Sequence, residues 1–462
     1  EINWRVTGHI KRVRPELGSI MKTFLELLNN KISEFPSKSG SYLVAFSGGL
    51  DSTVLLAGMQ RLRSQFSFRA VHIDHGFHPD SSKWEVHCRE VAGKLGVDYV
   101  SSRIHIRDES GHSLEALARE GRYRALKDLL FSGEVLLTAH HANDQLETLL
   151  LRLLRGSGVR GMRGISEFYR FGKGYLGRPL LNMSQDEIRR VGVNWGLHWL
   201  EDPMNSQQRF DRNFLRSSVI PHIVGRWPSA GKIAERMARQ MDDAHTILKE
   251  VAESDSLTIV DPARVPLEAL LGLPMPRQKN VLRHLVERVG LPVPDSVQMN
   301  EILKSVRVSR IDAETQVQWP GGEGRIYRGV LYLFSPLGAG SGEDYTGELT
   351  QFEPWAGPEG RVALVPTSGP GLSDDYIKNG LSVRFRVGGE CFKPMRYKHS
   401  RPLKKWFQES GVPPWLRGRI PLLYRDAELV AVGDLWIADI ATEEQKNKPR
   451  WQVSWTNHPP LS

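Results

Sequence analysis

Two periods take turns along residues 40–155. Tyr42 to Phe46 is a short apolar run, and a stretch with helical spacing through Thr53, Leu55, Leu56 and Leu62 follows it. Phe68–Ile73, Val97–Ile104 and Glu134–Thr138 are further strand-like runs. Ser82–Leu95, Leu114–Leu130 and Asp144–Leu154 separate or follow them with apolar residues three and four apart. Strands divided by helices of about ten or more residues predict βαβ units. The fold class expected is α/β, a Rossmann-like parallel sheet with helices on both faces. Ligands of such sheets sit beyond the carboxyl ends of the strands.

Beyond this the pattern changes twice. From Ser184 to Val306 it is mostly helical, with a long amphipathic stretch from Ser229 to Ser254. Gln316 to Ser335 reads as a hairpin about Pro320-Gly321-Gly322, and Gly338 to Gly347 as a linker rich in Gly, Ser and acids. Strands and turns with interleaved basic and aromatic residues come last. The expected division is a catalytic domain over 1–225, a mostly helical middle domain over 226–337, a linker over 338–347, and a small α+β C-terminal domain over 348–462. The first twenty residues read as an extension of little functional weight, since apolar periodicity starts around Ile20, Phe24, Leu25, Leu28 and Ile32.

Composition narrows the class. With 462 residues, 40% apolar and 25% charged, the chain is long enough for two or three globular domains. No apolar run approaches the roughly 20 residues of a membrane-spanning helix, and no secretory leader is legible. The two cysteines, Cys88 and Cys391, form no CxxC pair. That argues against a disulfide framework, a structural zinc site or an iron–sulfur cluster, and makes a reducing cytoplasm the simplest home. A net charge of +9 favours a polyanionic partner.

The sharpest motif is Ser47-Gly48-Gly49-Leu50-Asp51-Ser52, between the first strand and the helix after it. Two glycines let the backbone approach an anion and turn its N–H groups inward. The helix N-terminus adds partial positive charge, and the Ser47 and Ser52 hydroxyls add donors. Asp51 would repel phosphate unless Mg²⁺ bridges the two, so a metal-bound polyphosphate is expected. The Walker lysine is missing; the plain alternative is a capped helix start. His72-Ile73-Asp74-His75-Gly76 ends the second strand, where a nucleotide base is a better fit than a metal. Glu115, Arg119 and Arg122 share a helical face, either as a solvated ion pair or as a clamp for carboxylate or phosphate. The fourth strand leads into Thr138-Ala139-His140-His141-Ala142-Asn143-Asp144-Gln145-Leu146-Glu147. His140, Asp144 and Glu147 suit an ammonium group, base work toward it, or Mg²⁺, unless the acids only favour the helix N-terminus. Arg155-Gly156-Ser157-Gly158-Val159-Arg160-Gly161 suits a phosphate backbone.

The SGGLDS loop resembles the fingerprint of the PP-loop ATP pyrophosphatases, which split ATP between its α and β phosphates and adenylate a carbonyl oxygen. By that resemblance His72 and its neighbours border the adenine pocket. The whole series resembles the tRNA(Ile)-lysidine synthetase family over roughly 42–217: SGGLDS, HxDHG, EAxAR with RY, TAHHxxDxxET, RGSG, Arg178-Pro179-Leu180-Leu181, and Arg212-Asn213-Phe214-Leu215-Arg216. The resemblance implies ATP and Mg²⁺ as cofactors. Its implied partners are an isoleucine tRNA with a CAU anticodon and free L-lysine, with no membrane and no obligate protein partner. The implied reaction adenylates the C2 oxygen of the wobble cytidine, after which lysine's side-chain amine attacks C2. Carried over by position, Asp51, His140, Asp144 and Glu147 are catalytic, and Ser47–Ser52 with His72 bind ATP. His140, Asp144 and Glu147 hold lysine with Arg119 or Arg122; Arg155, Arg160, Arg212, Asn213 and Arg216 face tRNA. Two departures stand out: Asn143-Asp144 where the family often has paired acids, and Met204 in Asp202-Pro203-Met204-Asn205 where it often has a hydroxyl.

Between Arg384 and Tyr424 ten Lys/Arg face two acids, Glu390 and Glu409, with Phe385, Phe392, Tyr397, Trp406, Phe407 and Trp415 interleaved. Of these aromatics Trp406, Phe407 and Trp415 are expected in the small core, while Arg396, Lys398, Arg401, Lys404 and Lys405 are the RNA candidates. Gly411–Arg417 resembles the C-terminal domain of longer lysidine synthetases, where it contacts the acceptor stem. A tRNA thiolase on the same scaffold is the competing enzyme, weakened by the lack of a cysteine pair. A non-catalytic RNA-binding protein is the competing class, weakened by the intact loop and acids.

Overall fold

The computed structural model describes residues 13–74, 76, 81–104, 114–201, 211–308, 315–338, 346–439 and 449–456. His75, the Asp202–Asn205 segment, most of the 338–347 linker and the first twelve residues lie outside the described residues. The chain divides into two compact units, with the break after Ile247.

The first unit is built on a six-stranded sheet. Its elements in order are α1 (Val13–Glu34), β1 (Ser41–Ala45), α2 (Leu50–Arg61), β2 (Ser67–Asp74), α3 (Ser81–Leu95), β3 (Tyr99–Arg103), α4 (Leu114–Leu129), β4 (Val135–Leu137) and α5 (Ala142–Leu154). These match the expected strand–helix alternation to within a few residues. Then come α6 (Val159–Met162), β5 (Phe168–Phe171), β6 (Gly174–Gly177), α7 (Gln185–Asn194), α8 (Asp211–Phe214), a π-helical turn (Leu215–Val219), α9 (Ile220–Arg226) and α10 (Ala230–Asp255). Strand order is β3-β2-β1-β4-β6-β5, all parallel except β5, which pairs antiparallel with β6. The β5–β6 hairpin was not expected: its strands are four residues each and carry no clear alternation.

Alternation along β1 explains the layering. Tyr42 and Val44 point to one face, packed with Phe24, Leu28 and Ile32 of α1 and Val54 and Leu55 of α2. Leu43 points to the other, with Leu126, Leu130 and Leu136. A strand buried on both faces is what a central parallel strand requires. Chain order runs outward from β1 through β2 to β3, then returns to place β4 on the other side of β1. The carboxyl ends of β1 and β4 therefore flank a topological switch point, where a crevice opens.

In the second unit a four-stranded sheet, β7 (Arg264–Pro266), β10 (Val330–Phe334), β9 (Gly322–Tyr327) and β8 (Thr315–Trp319), packs on α11 (Leu267–Leu271), α12 (Met275–Val289) and α13 (Ser296–Val308). The hairpin expected over Gln316–Ser335 is a three-stranded meander, because Arg328 and Gly329 take φ +48° and +76° and make a second turn. The C-terminal region holds a five-stranded sheet, a four-stranded sheet joined by the long Gly360–Thr367 and Arg450–Thr456 pair, and short helices. Trp406 and Phe407 are core, as expected. Trp415, expected there too, packs partly buried against that core and against Tyr327, Tyr332 and Phe334 of the meander, with ring centroids 5.5–6.3 Å away.

Candidate active site

The loop after β1 places its groups by local bonds. Gly48 takes φ +83°, a region that favours glycine. Gly49 is the N-cap of α2, and the first helical bond is Thr53 N–H to the Gly49 carbonyl at 3.0 Å. The N–H groups of Leu50, Asp51 and Ser52 consequently have no carbonyl four residues back within the helix. The Ser52 hydroxyl donates to the Gly49 carbonyl at 3.0 Å and accepts from Ser47 N–H at 3.2 Å, while the Ser47 and Ser52 hydroxyls meet at 3.0 Å. This is a rigid turn presenting N–H groups at the positive end of a helix, which is how proteins bind phosphate.

Across the crevice, β4 runs into α5 through His140 and His141. Asp144 is buried and its Oδ2 accepts from His141 N–H at 2.9 Å. His141 stands between two acids: its Nε2 lies 3.6 Å from Asp51 Oδ2 and 3.5 Å from Asp144 Oδ2. Burial alone would lower the pKa of His141, but the Asp144 and Asp51 carboxylates outweigh it and raise it. Burial likewise opposes ionisation of Asp144, yet His141 and the Arg216 guanidinium hold its carboxyl at about 2. His140 is different. Thr138 Oγ1 lies 2.9 Å from its Nδ1, and Arg178 Nε donates to that nitrogen at 3.4 Å. An accepting Nδ1 means a neutral ring with its proton on Nε2. Enclosure by protein, with Arg178 and Arg119 nearby, holds its pKa down at about 3.

Glu147 is buried one turn further along α5. It pairs with Arg212 Nε, and with Arg216 through Nε at 3.0 Å and Nη2 at 2.9 Å. Arg216 Nη2 also donates to Asp144 Oδ1 at 2.7 Å. Both arginines come from α8 and the π-helical turn, a local distortion common where function demands it. Arg212 and Arg216, read from sequence as RNA-facing, are thus ion-paired to the two acids of α5. Asn213 is half-buried between them in sequence.

The remaining candidates sort by position. Arg119 is exposed on α4 and acts electrostatically on His140, while Arg122 lies exposed a turn further along. Arg155 and Arg160 are exposed around the Gly156–Gly158 loop. His72 is buried behind the phosphate loop, its Nδ1 2.9 Å from the Phe46 carbonyl. Arg396, Lys398, Arg401, Lys404 and Lys405 are all exposed in the second unit. Residues that sequence reasoning passed over are His141, Arg178, Gln145 and Arg152. The signal for His141 lay in the doubled histidine, of which only the first was chosen. Arg178 sat in a motif given no chemistry.

Residues 19–223 match the family model of the PP-loop domain, 266–332 the TilS substrate binding domain, and 381–455 the TilS substrate C-terminal domain. The tRNA(Ile)-lysidine synthase of Alkalilimnicola ehrlichii is 38% identical over 438 residues, covering 91% of this chain and 95% of its own. The chain belongs to the tRNA(Ile)-lysidine synthase family. The family member of Coxiella burnetii is 35% identical over 86% of this chain and 89% of its own. Among solved structures, the U34-tRNA thiolase of Methanococcus maripaludis aligns over 49% of this chain and 80% of its own, at 13% identity and a TM-score of 0.42. Among the described residues no helix is long and apolar enough to cross a membrane.

Proposed function

We propose that this protein is an ATP-dependent carbon–nitrogen ligase that converts the wobble cytidine of an isoleucine tRNA to lysidine. The observation that carries the reading is the union of two half-sites through one ring. An anion-binding loop with its acid, Asp51, and a cation-binding pair, Asp144 and Glu147, meet across His141. Adenylation followed by amine attack needs a polyphosphate and an ammonium group side by side.

The steps balance as follows. The cytidine C2 oxygen attacks the α-phosphorus of ATP, and the bond to the β-phosphate oxygen breaks, releasing pyrophosphate. Lysine's side-chain amine, having lost a proton, then attacks C2, and the C2–O bond breaks with AMP as leaving group. The loop N–H groups, in the turn that the Ser47 and Ser52 hydroxyls brace, hold the polyphosphate. A Mg²⁺ ion, when bound, would neutralise phosphate charge in the first step. Asp51 fits such an ion, because its Oδ1 is buried with no hydrogen-bond partner. Asp144 and Glu147 already accept guanidinium N–H groups, so they present the charge a lysine ammonium needs. Phosphates of the tRNA compete for Arg212 and Arg216 and free the acids for that amine. The neutral His140 offers an Nε2–H donor, and Arg119 a positive field for the lysine carboxylate. Arg155, Arg160 and Asn213 lie toward the RNA, and the exposed cations of residues 396–405 bind the tRNA body.

The test is incorporation of radiolabelled lysine into unmodified isoleucine tRNA with Mg²⁺ and ATP. Labelling that disappears for a tRNA lacking the wobble cytidine is the expected result. Pyrophosphate release on adding tRNA without any labelling would keep the adenylation and reject lysine as the nucleophile.

A further inference from the structure

Arg178 follows β6 directly and is buried, with 4% of its surface exposed. Its side chain meets His140 Nδ1 at 3.4 Å, the Ser166 carbonyl and, 5.3 Å away, the Tyr169 ring; among the described residues no carboxylate pairs with it. Proteins rarely leave a buried guanidinium without an acid, because a lone charge out of water is costly. The sheet edge holds it in place: Arg178 N–H donates to the Glu167 carbonyl at 2.9 Å, and Ser166 and Tyr169 come from the same stretch of chain. The titratable group among these contacts is His140.

Thr138 and Arg178 constrain that ring differently. A hydroxyl both donates and accepts, so Thr138 Oγ1, 2.9 Å from Nδ1, fits either tautomer. A guanidinium N–H only donates. Beside Arg178 Nε, a proton on Nδ1 would face another N–H, and an imidazolium would face a cation. What remains is the neutral ring with its proton on Nε2, at the edge away from Thr138 and Arg178. The other charges around the ring divide: Asp144 on α5 favours its protonation, while Arg119 on α4 and Arg212 on α8 join Arg178 in opposing it. The reaction proposed above brings oxygens of cytidine and phosphate into this crevice, and an amine. A proton-bearing Nε2 can donate to an oxygen but cannot take the proton of the amine.

We propose that Arg178 is a positioning residue: its Nε–H holds the His140 ring with Nδ1 as acceptor and Nε2 as donor, so that His140 serves lysidine formation as a hydrogen-bond donor and not as the base that deprotonates lysine. The inference rests on the reading of the crevice as the ligation site. It gives the Arg178-Pro179-Leu180-Leu181 motif a chemical task, exerted through His140.

The experiment is nitrogen-15 spectroscopy of the imidazole rings in the full chain, with the His140 signals identified by their loss in His140→Ala, alongside single-turnover lysine transfer to tRNA. The wild type is expected to show His140 with Nδ1 bare and Nε2 protonated from pH 8 to pH 5. Arg178→Met keeps the stem and removes the cation and the donor. It is expected to lose that pattern within the same range, as a proton reaches Nδ1, and to slow transfer by about tenfold or more with the KM for tRNA unchanged. Arg178→Lys, which keeps a cationic donor, restores most of both. In a double-mutant cycle Arg178→Met has little further effect once His140 is replaced by alanine. A wild-type His140 that carries its proton on Nδ1, or that titrates between pH 8 and pH 5, overturns the proposal. So does the wild-type pattern persisting in Arg178→Met, or an equal loss of rate with and without the His140 ring, since Arg178 would then be a strut of the hairpin. Should Arg178→Met not fold, Thr138→Val puts the same question in reverse: Arg178 alone must then keep the wild-type pattern, and its loss overturns the proposal. A chain that transfers no lysine overturns the ligation reading itself, and the role of the donor with it. A chain that transfers lysine but fails the spectroscopic outcome loses only the inference about Arg178.

Discussion

Asp51 and Asp144 lie on opposite sides of His141, and each is expected to fail differently when changed. Asp51 has a buried, unpartnered Oδ1, and its Oδ2 lies 3.6 Å from His141 Nε2. Asp51→Asn should leave the melting temperature near wild type and cut tRNA-dependent pyrophosphate release by about a hundredfold or more, the scale of a lost electrostatic contact in a transition state. Normal release would remove Asp51 from the reaction. Asp144 is also a stability residue. Its carboxyl titrates at about 2 when folded against an ordinary 3.8, so its stabilisation is complete above about pH 4 and is lost as pH falls through about 2. The shift corresponds to about 2 kcal/mol. The gap in unfolding free energy between wild type and Asp144→Asn should therefore narrow from pH 5 to pH 3; a gap that stays constant would deny the carboxylate that role. The two cysteines make a third contrast at this scale. Burial pushes the Cys88 thiol up to about 12, whereas Cys391 is exposed. A disulfide reagent at pH 8 should modify one thiol quickly and the second only on unfolding.

α5 shows how one element serves two purposes, and how much of that was legible. Its acids were readable from sequence because His140, Asp144 and Glu147 recur at helical spacing after a strand. What they touch was not, since Arg212 and Arg216 come from a segment about seventy residues away whose π-helical turn no periodicity announces. The β5–β6 hairpin escaped for a related reason: strands of four residues hold too few positions to show alternation. Further along α5, Gln145 is buried, donates to the Ile165 carbonyl at 3.1 Å and accepts from Ile165 N–H at 2.5 Å. Arg152 donates to the Gly164 carbonyl at 2.8 Å and also to that of Gly161. These bonds latch the Gly-rich loop carrying Arg155 and Arg160 to the helix that carries the acids. Sequence placed that loop next to RNA but gave no hint of a latch, because a glutamine inside a helix looks like a surface residue. Gln145→Leu should leave nucleotide affinity unchanged and raise the KM for tRNA several-fold, about the effect of losing one or two hydrogen bonds. An unchanged KM for tRNA would mean the loop holds its shape without the helix or does not meet RNA.

At the scale of the whole molecule the charge is unevenly used. In the first unit many arginines are engaged: Arg69 with Glu134, Arg212 and Arg216 with the α5 acids, Arg163 with Asp242. Much of that positive charge is spent on internal pairing. In the second unit Lys398, Lys404 and Lys405 are exposed beside Tyr397, whose ring is half exposed and lies edge-on to Trp406 at 4.6 Å. Arg401, by contrast, is tied to Glu409 at 3.1 Å and lies over Trp406. An electrostatic surface of this sort acts through counterion release, which changes affinity with salt and leaves the chemistry alone. Replacing Lys398, Lys404 and Lys405 together with alanine should weaken tRNA binding and lower the slope of log affinity against log salt by about two to three, near one unit per lost phosphate contact. The rate at saturating tRNA should stay within about twofold, since none of the three lies in the unit that carries the loop and the acids. Filter binding from low to high salt measures the slope, and single-turnover lysine incorporation measures the rate. An unaltered slope with weaker binding would mean the lysines support the fold of the surface, and the RNA would then have to be sought on the arginines of the first unit.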